Sequence, residues 1–196
     1  MSVAEIRSFS APAPDLRQVF RFAGMPPTIC GEELARVMRE VEKVAQYKVC
    51  FAAFPLTVKG DTCHVGGTPI PSAQLAKNLK GCHTVLLFAA TVGVGVDRLL
   101  QRLQRTSVAT AFLAEAVGAE RAESLCNAFC TWYEGERGVR LRPRFSPGYG
   151  DLSLEAQRAV FALLSPEKSI GLTLNESLLM SPSKSVTAFV GIEENV

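Results

Sequence analysis

Histidine is scarce in this chain, with only His64 and His83 among 196 residues. Neither stands at zinc-ligand spacing from a cysteine pair, and neither has a carboxylate placed to build a Ser-His-Asp set. The sequence therefore argues against a structural zinc site, a metal centre of its own and a self-contained catalytic triad. Paired cysteines are lacking as well. Cys30, Cys50, Cys63, Cys82, Cys126 and Cys130 form no Cys-x-x-Cys unit and mostly lie inside apolar stretches. They read as small core hydrophobes rather than a disulfide framework; Cys126 and Cys130, one helical turn apart, are the pair that could share a ligand. No apolar run approaches the roughly 20 residues that cross a bilayer. The opening Met1-Ser-Val-Ala-Glu-Ile-Arg-Ser-Phe9 has no hydrophobic signal region. A net charge of +2 is too small to draw the protein to nucleic acid or an anionic membrane. The expectation is a soluble, cytoplasmic protein with neither of those partners.

What the chain does have is an ordinary globular balance, 47% hydrophobic and 20% charged, enough to bury a core as a single domain over residues 1–196. The first 25 residues, with Pro12 and Pro14, read as a lead-in segment. Leu34, Val37, Met38, Val41 and Val44 then repeat at helical spacing behind Glu32 and Glu33, predicting a helix over 32–45 with Thr28 or Cys30 before it. An apolar stretch from Tyr47, a turn at Lys59-Gly-Asp-Thr62 and the segment to Gly67 suggest a hairpin. A short helix follows Pro71 with Ser72 near its start. His83 to Thr91 is a continuous apolar run, as a strand buried on both faces would be.

Val92-Gly-Val-Gly-Val-Asp97 turns into the next helix. Such a passage is either a plain turn or a phosphate contact; the third glycine of a dinucleotide fingerprint is replaced by Arg98. From Ser107 to Gly135 runs the longest helical signal, with Val108, Phe112, Ala119, Ala122, Cys126, Phe129 and Tyr133 tracing one face. Of its acids, Glu115, Glu120 and Glu123, only Glu123 lies near that stripe. A further helix opens with Ser153 as its expected N-cap and stops at Pro166. Apolar segments over 170–174 and 185–192 read as closing strands. Mixed elements without regular βαβ alternation predict an α+β fold.

The segment Arg142-Pro-Arg-Phe-Ser-Pro-Gly-Tyr-Gly150 is the strongest functional signal. Two prolines fix φ and withhold N–H groups, and two glycines permit left-handed backbone. The expectation is a rigid loop, not a regular element, presenting Arg144 and Tyr149, and shaped loops are where binding residues concentrate.

Three segments in order then resemble the activation domain of cobalamin-dependent methionine synthase. Arg144-Phe-Ser-Pro-Gly-Tyr149 is similar to that family's Arg-x-x-x-Gly-Tyr loop. Ile170-Gly-Leu-Thr-Leu-Asn-Glu-Ser177 resembles its Gly-x-x-Leu-Thr-Glu-Ser segment, and Met180-Ser-Pro-Ser-Lys-Ser-Val186 its Met-x-Pro-x-x-Ser-Val strand entry. Ala122-Glu-Ser-Leu125 matches an Ala-Glu-x-Leu element, so the resemblance covers residues 105–192. It implies a mainly antiparallel twisted sheet packed with helices, as a short free-standing relative of that domain.

The resemblance also implies a chemistry. The family domain binds S-adenosylmethionine and docks over the corrin of a cobalamin-carrying domain. A one-electron donor of flavodoxin type reduces the inactive cobalt, which then takes the sulfonium methyl. The cofactors carry that chemistry, so no catalytic residue is expected here, and turnover would need a methionine synthase lacking its own activation domain as partner. By the same resemblance Arg144 receives the ligand carboxylate, and Ser146, Pro147 and Gly148 contact the ligand through their backbone. Tyr149 faces the corrin, Glu123 neutralises the ammonium or sulfonium side, and Glu176 braces the loop. Three departures stand out. Gly150-Asp151-Leu-Ser-Leu replaces Pro-Ala-Cys-Pro-Asp, Phe189-Val190 replaces Trp-Tyr, and the N-terminal Asp-Trp motif has no counterpart. They motivate a second expectation, a corrinoid-protein docking module that kept the fold without S-adenosylmethionine binding. Arg137, Arg140, Arg142 and Arg144 would suit nucleic acid, but the near-neutral net charge opposes it.

Overall fold

The computed structural model describes residues 4–26 and 31–193. A seven-stranded sheet, with every strand pairing antiparallel, is its centre. Strand β1 is Glu5–Phe9, followed by helices α1 (Leu16–Ala23) and α2 (Gly31–Val44). The hairpins come next as β2 (Tyr47–Lys59), β3 (Thr62–Val65) and β4 (Thr68–Pro71), then α3 (Ala73–Asn78) and β5 (Thr84–Thr91). Helices α4 (Val94–Thr106) and α5 (Val108–Arg137) lead to β6 (Arg140–Leu141). The chain closes with α6 (Ala156–Leu164), α7 (Pro166–Ser169), β7 (Thr173–Leu174), β8 (Met180–Ser181) and β9 (Ser185–Glu193).

Strand β2 is long enough for one edge to serve two partners, β1 along Tyr47–Phe51 and β3 along Leu56–Lys59, while its other edge pairs with β5. Strand β5 lies between β2 and β9, with Phe51 opposite Phe88 and Leu87 opposite Phe189. The period-2 alternation of a strand divides β5 between two cores. Leu86, Phe88 and Ala90 join α1, α2, α4 and α5 on one face, while Val85, Leu87 and Ala89 join α3 and α6 on the other. Helices on both faces explain the continuous apolar run, even though the neighbours of β5 are antiparallel. Phe51, Phe88 and Phe129 are almost wholly buried and meet at ring separations of 4.9–5.0 Å. Each contributes roughly 1.5–3 kcal/mol of hydrophobic stabilisation.

The lead-in segment is itself part of the fold. Strand β1 extends the sheet, and the Asp15 carboxylate caps α1 by accepting the N–H groups of Arg17 and Gln18. The Arg7 guanidinium stacks over the Trp132 ring, 4.0 Å from its centroid. The side chains of β1 are mostly exposed, so no apolar alternation betrays it in sequence.

Helix α5 departs from the expected single stripe. Val108 and Phe112 are exposed, and the middle of the helix is buried nearly all round, between the sheet and the N-terminal elements. Glu120, at 0% exposure, is the fully buried acid, not Glu123. Its carboxylate accepts from Arg121 Nε (2.6 Å) and Nη2 (2.7 Å), from the Ser124 hydroxyl (2.5 Å) and from the Asp15 N–H (2.9 Å). Arg121 in turn donates to the Pro12 carbonyl (2.8 Å) and Glu42 (3.0 Å). A charge without water needs such full pairing.

Other boundaries shift slightly. Helix α2 begins at Gly31, and its expected caps Thr28 and Cys30 lie outside the described residues. Ser153 does not cap α6, which starts three residues later; its hydroxyl accepts the Glu155 N–H inside a preceding turn. Pro166 ends α6 by opening α7 at its first position, where a missing N–H costs nothing.

Candidate functional site

The Arg142–Gly150 segment follows β6 without forming a regular element, as expected, and it stays tied to β9 by isolated backbone bonds. Leu141 pairs with Ile192, the Arg142 N–H donates to the Gly191 carbonyl at 2.9 Å, and Phe145 exchanges two 2.9 Å bonds with Phe189. Between Arg142 and Phe145 this segment has one residue more than β9. The surplus, at Pro143-Arg144, is a bulge of the kind that re-aims a side chain. Proline explains why it sits there, because it cannot donate to the ladder.

Re-aimed, Arg144 meets α5. Its Nη2 donates to Glu123 Oε2 at 2.8 Å and its Nη1 to Asn127 Oδ1 at 2.7 Å. The pair is open to solvent on one side, with side-chain exposures of 23% for Arg144 and 36% for Glu123. Phe145 anchors the base by burying its ring in the second core. Cys126 and Cys130 lie on the same side of α5. Burial pushes both thiols up, against the opposing pull of the Arg144 charge. They stay protonated at neutral pH, which suits packing rather than redox chemistry.

Beyond Phe145 the chain makes a tight turn. The Tyr149 N–H donates to the Ser146 carbonyl (3.1 Å), and the Gly148 N–H, at φ +88°, donates to the Leu152 carbonyl (2.8 Å). Ser146 and Pro147 form the half-buried shoulder of this turn. Tyr149 is 66% exposed and rests edge-on against Phe145, ring centroids 5.3 Å apart. Gly150 is backed so closely by Gln74 that a Cβ would collide with its amide. Asp151 then pins the far end of the loop. Its carboxylate accepts the Ser72 hydroxyl and the N–H groups of Ala73 (2.8 Å) and Gln74 (3.3 Å). The Ser72 hydrogen bond, seconded by those N–H groups, holds Asp151 below the usual carboxylate range. Sequence reasoning misses this cap because it spans nearly 80 residues.

Arg144 and Glu123 thus form one surface shelf against α5, and the turn from Ser146 to Tyr149 follows Arg144 in the chain and packs through Phe145 toward the second core. Asn127 belongs to the shelf too; its position four residues after Glu123 is the only sequence signal for it. Glu176 does not join. It is exposed on the β7–β8 turn, its backbone carbonyl accepts from Arg158 Nη2 at 3.3 Å, and among the described residues its carboxylate has no hydrogen bond or ion pair. An open groove of about 680 Å³ lies elsewhere, bordered by Asp61, Lys77, Lys80 and His83, and no motif residue lines it.

At the Gly93/Gly95 passage packing accounts for both glycines. A Cβ on Gly95 would collide with the Val44 carbonyl oxygen, and Gly93 packs against Gln46. These glycines let the N-terminus of α4 close onto the C-terminus of α2. Among the described residues no group of three His, Cys, Asp or Glu could hold a metal ion, and no helix is long and apolar enough to cross a membrane.

No protein-family model and no curated protein matches the chain. Among solved structures, the crystal structure of the MetH reactivation domain bound to AdoHcy matches with a TM-score of 0.70, over 98% of this chain and 80% of that one, at 15% sequence identity. The fold is that of the MetH reactivation domain. The likeness extends well past residues 105–192, where the motifs lie, and takes in the N-terminal elements. At this identity it is a likeness of architecture, and the MetH domain carries an adenosyl ligand on that architecture.

Proposed function

We propose that this protein binds S-adenosylmethionine at the Arg144 shelf and serves the reductive remethylation of cobalamin on a methionine synthase acting in trans. The observation that carries the reading is the paired but solvent-open Arg144–Glu123 couple on the segment that leads into the Gly148-Tyr149 turn, on a fold shared with an AdoHcy-bound domain. The residues fit the ligand. Arg144 engages Glu123, Asn127 and the Cys130 thiol, and the N–H groups left of its five would receive a carboxylate. Glu123 uses Oε2 for Arg144 and keeps Oε1 for an ammonium. Ser146, Pro147 and Gly148 offer backbone at a turn whose tightest neighbour to an added Cβ is Leu154 at 3.4 Å.

When bound, S-adenosylmethionine supplies the methyl group and the partner's cobalamin the cobalt that receives it. This chain contributes binding and orientation. Tyr149 and Leu154, both exposed, offer an apolar rim for the corrin face, and a flavodoxin-type protein would deliver the electron. Calorimetric titration with S-adenosylmethionine, alone and with a cobalamin-loaded methionine synthase lacking this domain, tests the reading; absence of heat in both sinks it. A second reading is favoured by two positions. Asp151 is committed to capping α3, and Phe189 is buried against Phe145 rather than turned to a ligand. On that reading the protein docks a corrinoid protein without S-adenosylmethionine, and capture of that protein with no ligand heat would support it.

A further inference from the structure

Resting on the reading of the Arg144 shelf given above, we infer that Asn127 is a positioning and ligand-reading residue of the same site. It holds the Arg144 guanidinium with its amide oxygen and presents its amide N–H groups to the amino-acid carboxylate of the ligand. Asn127 and Glu123 stand one turn apart on α5 and grip both terminal nitrogens of Arg144, at 2.7 Å and 2.8 Å. Two acceptors spaced this way fix the plane of the guanidinium, which a single partner at the end of a long side chain would not. The free N–H groups of Arg144 then point in a set direction before any ligand arrives, which lowers the ordering cost of binding.

The identity of residue 127 matters. An amide whose oxygen accepts from Arg144 has two donors left on its nitrogen, and Asn127 is exposed. A carboxylate at 127 would hold Arg144 as well, yet with Glu123 it would outweigh the single cation and repel an incoming carboxylate. Asparagine supplies the acceptor without the charge. Arg144, Glu123 and Asn127 together present one cation, one anion and one neutral donor. That set is the complement of an α-amino-acid zwitterion, with its carboxylate on Arg144 and Asn127 and its ammonium on Glu123. On the proposed reading, this set takes the amino-acid end of S-adenosylmethionine.

The test is calorimetric titration of the full chain, as wild type, Asn127→Ala and Asn127→Asp. The probes are S-adenosylmethionine, S-adenosylhomocysteine and 5′-methylthioadenosine, the last lacking the amino acid. Both variants should bind the first two ligands about tenfold or more weakly, the loss expected for a hydrogen bond to a charged group. Affinity for 5′-methylthioadenosine and the melting temperature should not move, a selectivity that a merely structural role would not produce. Unchanged S-adenosylmethionine affinity in Asn127→Ala, or equal weakening of all three ligands, overturns the inference and leaves the shelf's assignment standing. Wild-type protein that takes up none of the three overturns both.

Discussion

In the proposed function Arg144 receives the ligand carboxylate, and its loss should cost the fold little. Its ion pair with Glu123 is partly exposed, and such pairs are worth about 0–1 kcal/mol. Arg144→Ala should therefore abolish calorimetric binding of S-adenosylmethionine while shifting the denaturant midpoint little; binding that survives would mean the loop has been misread. Arg144→Lys keeps the charge but loses the fork that reaches Glu123 and Asn127 together, so its affinity should fall between the two. Asp151 behaves in the opposite way, as a structural residue with a pH signature. Its carboxyl is held below the ordinary value by Ser72 and the α3 N–H groups. Its stabilising effect is therefore complete above the unfolded carboxylate value of about 3.9 and is lost as pH falls through the lower folded value. The melting temperature of Asp151→Asn should lie below wild type at pH 7, and the gap should close in acid. A gap independent of pH would rule out the capping role.

Elements differ in how openly they show in sequence, and the difference is physical. Helix α2 and strand β5 are legible because their own side chains carry the period of the face they bury, Leu34, Val37 and Val41 in one and the unbroken run from Val85 to Ala90 in the other. Strand β1 is illegible because its order comes from backbone pairing with Tyr47–Phe51 rather than from its side chains. The loop motif shows in sequence as an irregular segment, as its proline and glycine content dictates, but the bulge that aims Arg144 at α5 follows from a one-residue mismatch with β9 that no local pattern encodes. Glu120-Arg121 misleads for a related reason. Adjacent charges on a helix read as solvated, and only the N-terminal segment laid over them makes them buried. At this scale Gly95 is the sharpest test. Any side chain there meets the Val44 carbonyl, so Gly95→Ala should force α4 away from α2 and cost about 1–3 kcal/mol, read from the denaturant midpoint. Unchanged stability would show that the α2–α4 junction is looser than described.

At the scale of the molecule, the N-terminal segment and α5 stand or fall together. The Glu120–Arg121 pair takes two of its partners from that segment, the Asp15 N–H and the Pro12 carbonyl. Removing one member of a buried pair costs about 3–5 kcal/mol, so Glu120→Ala should lower stability by that order and Arg121→Met with Glu120→Leu together by less. Deleting residues 1–25 should leave a chain without a cooperative melting transition by circular dichroism; a normal transition would restore the segment to a mere lead-in. The stacking of Arg7 on Trp132 gives this coupling an optical handle. Trp132 is the only tryptophan, and it lies where β1 crosses the aromatic cluster of Phe9, Phe51, Phe129 and Tyr133. Detachment of the N-terminal strand would bare its indole to water and shift its emission to the red, so the native chain carries its own fluorescent gauge of whether that strand is in place.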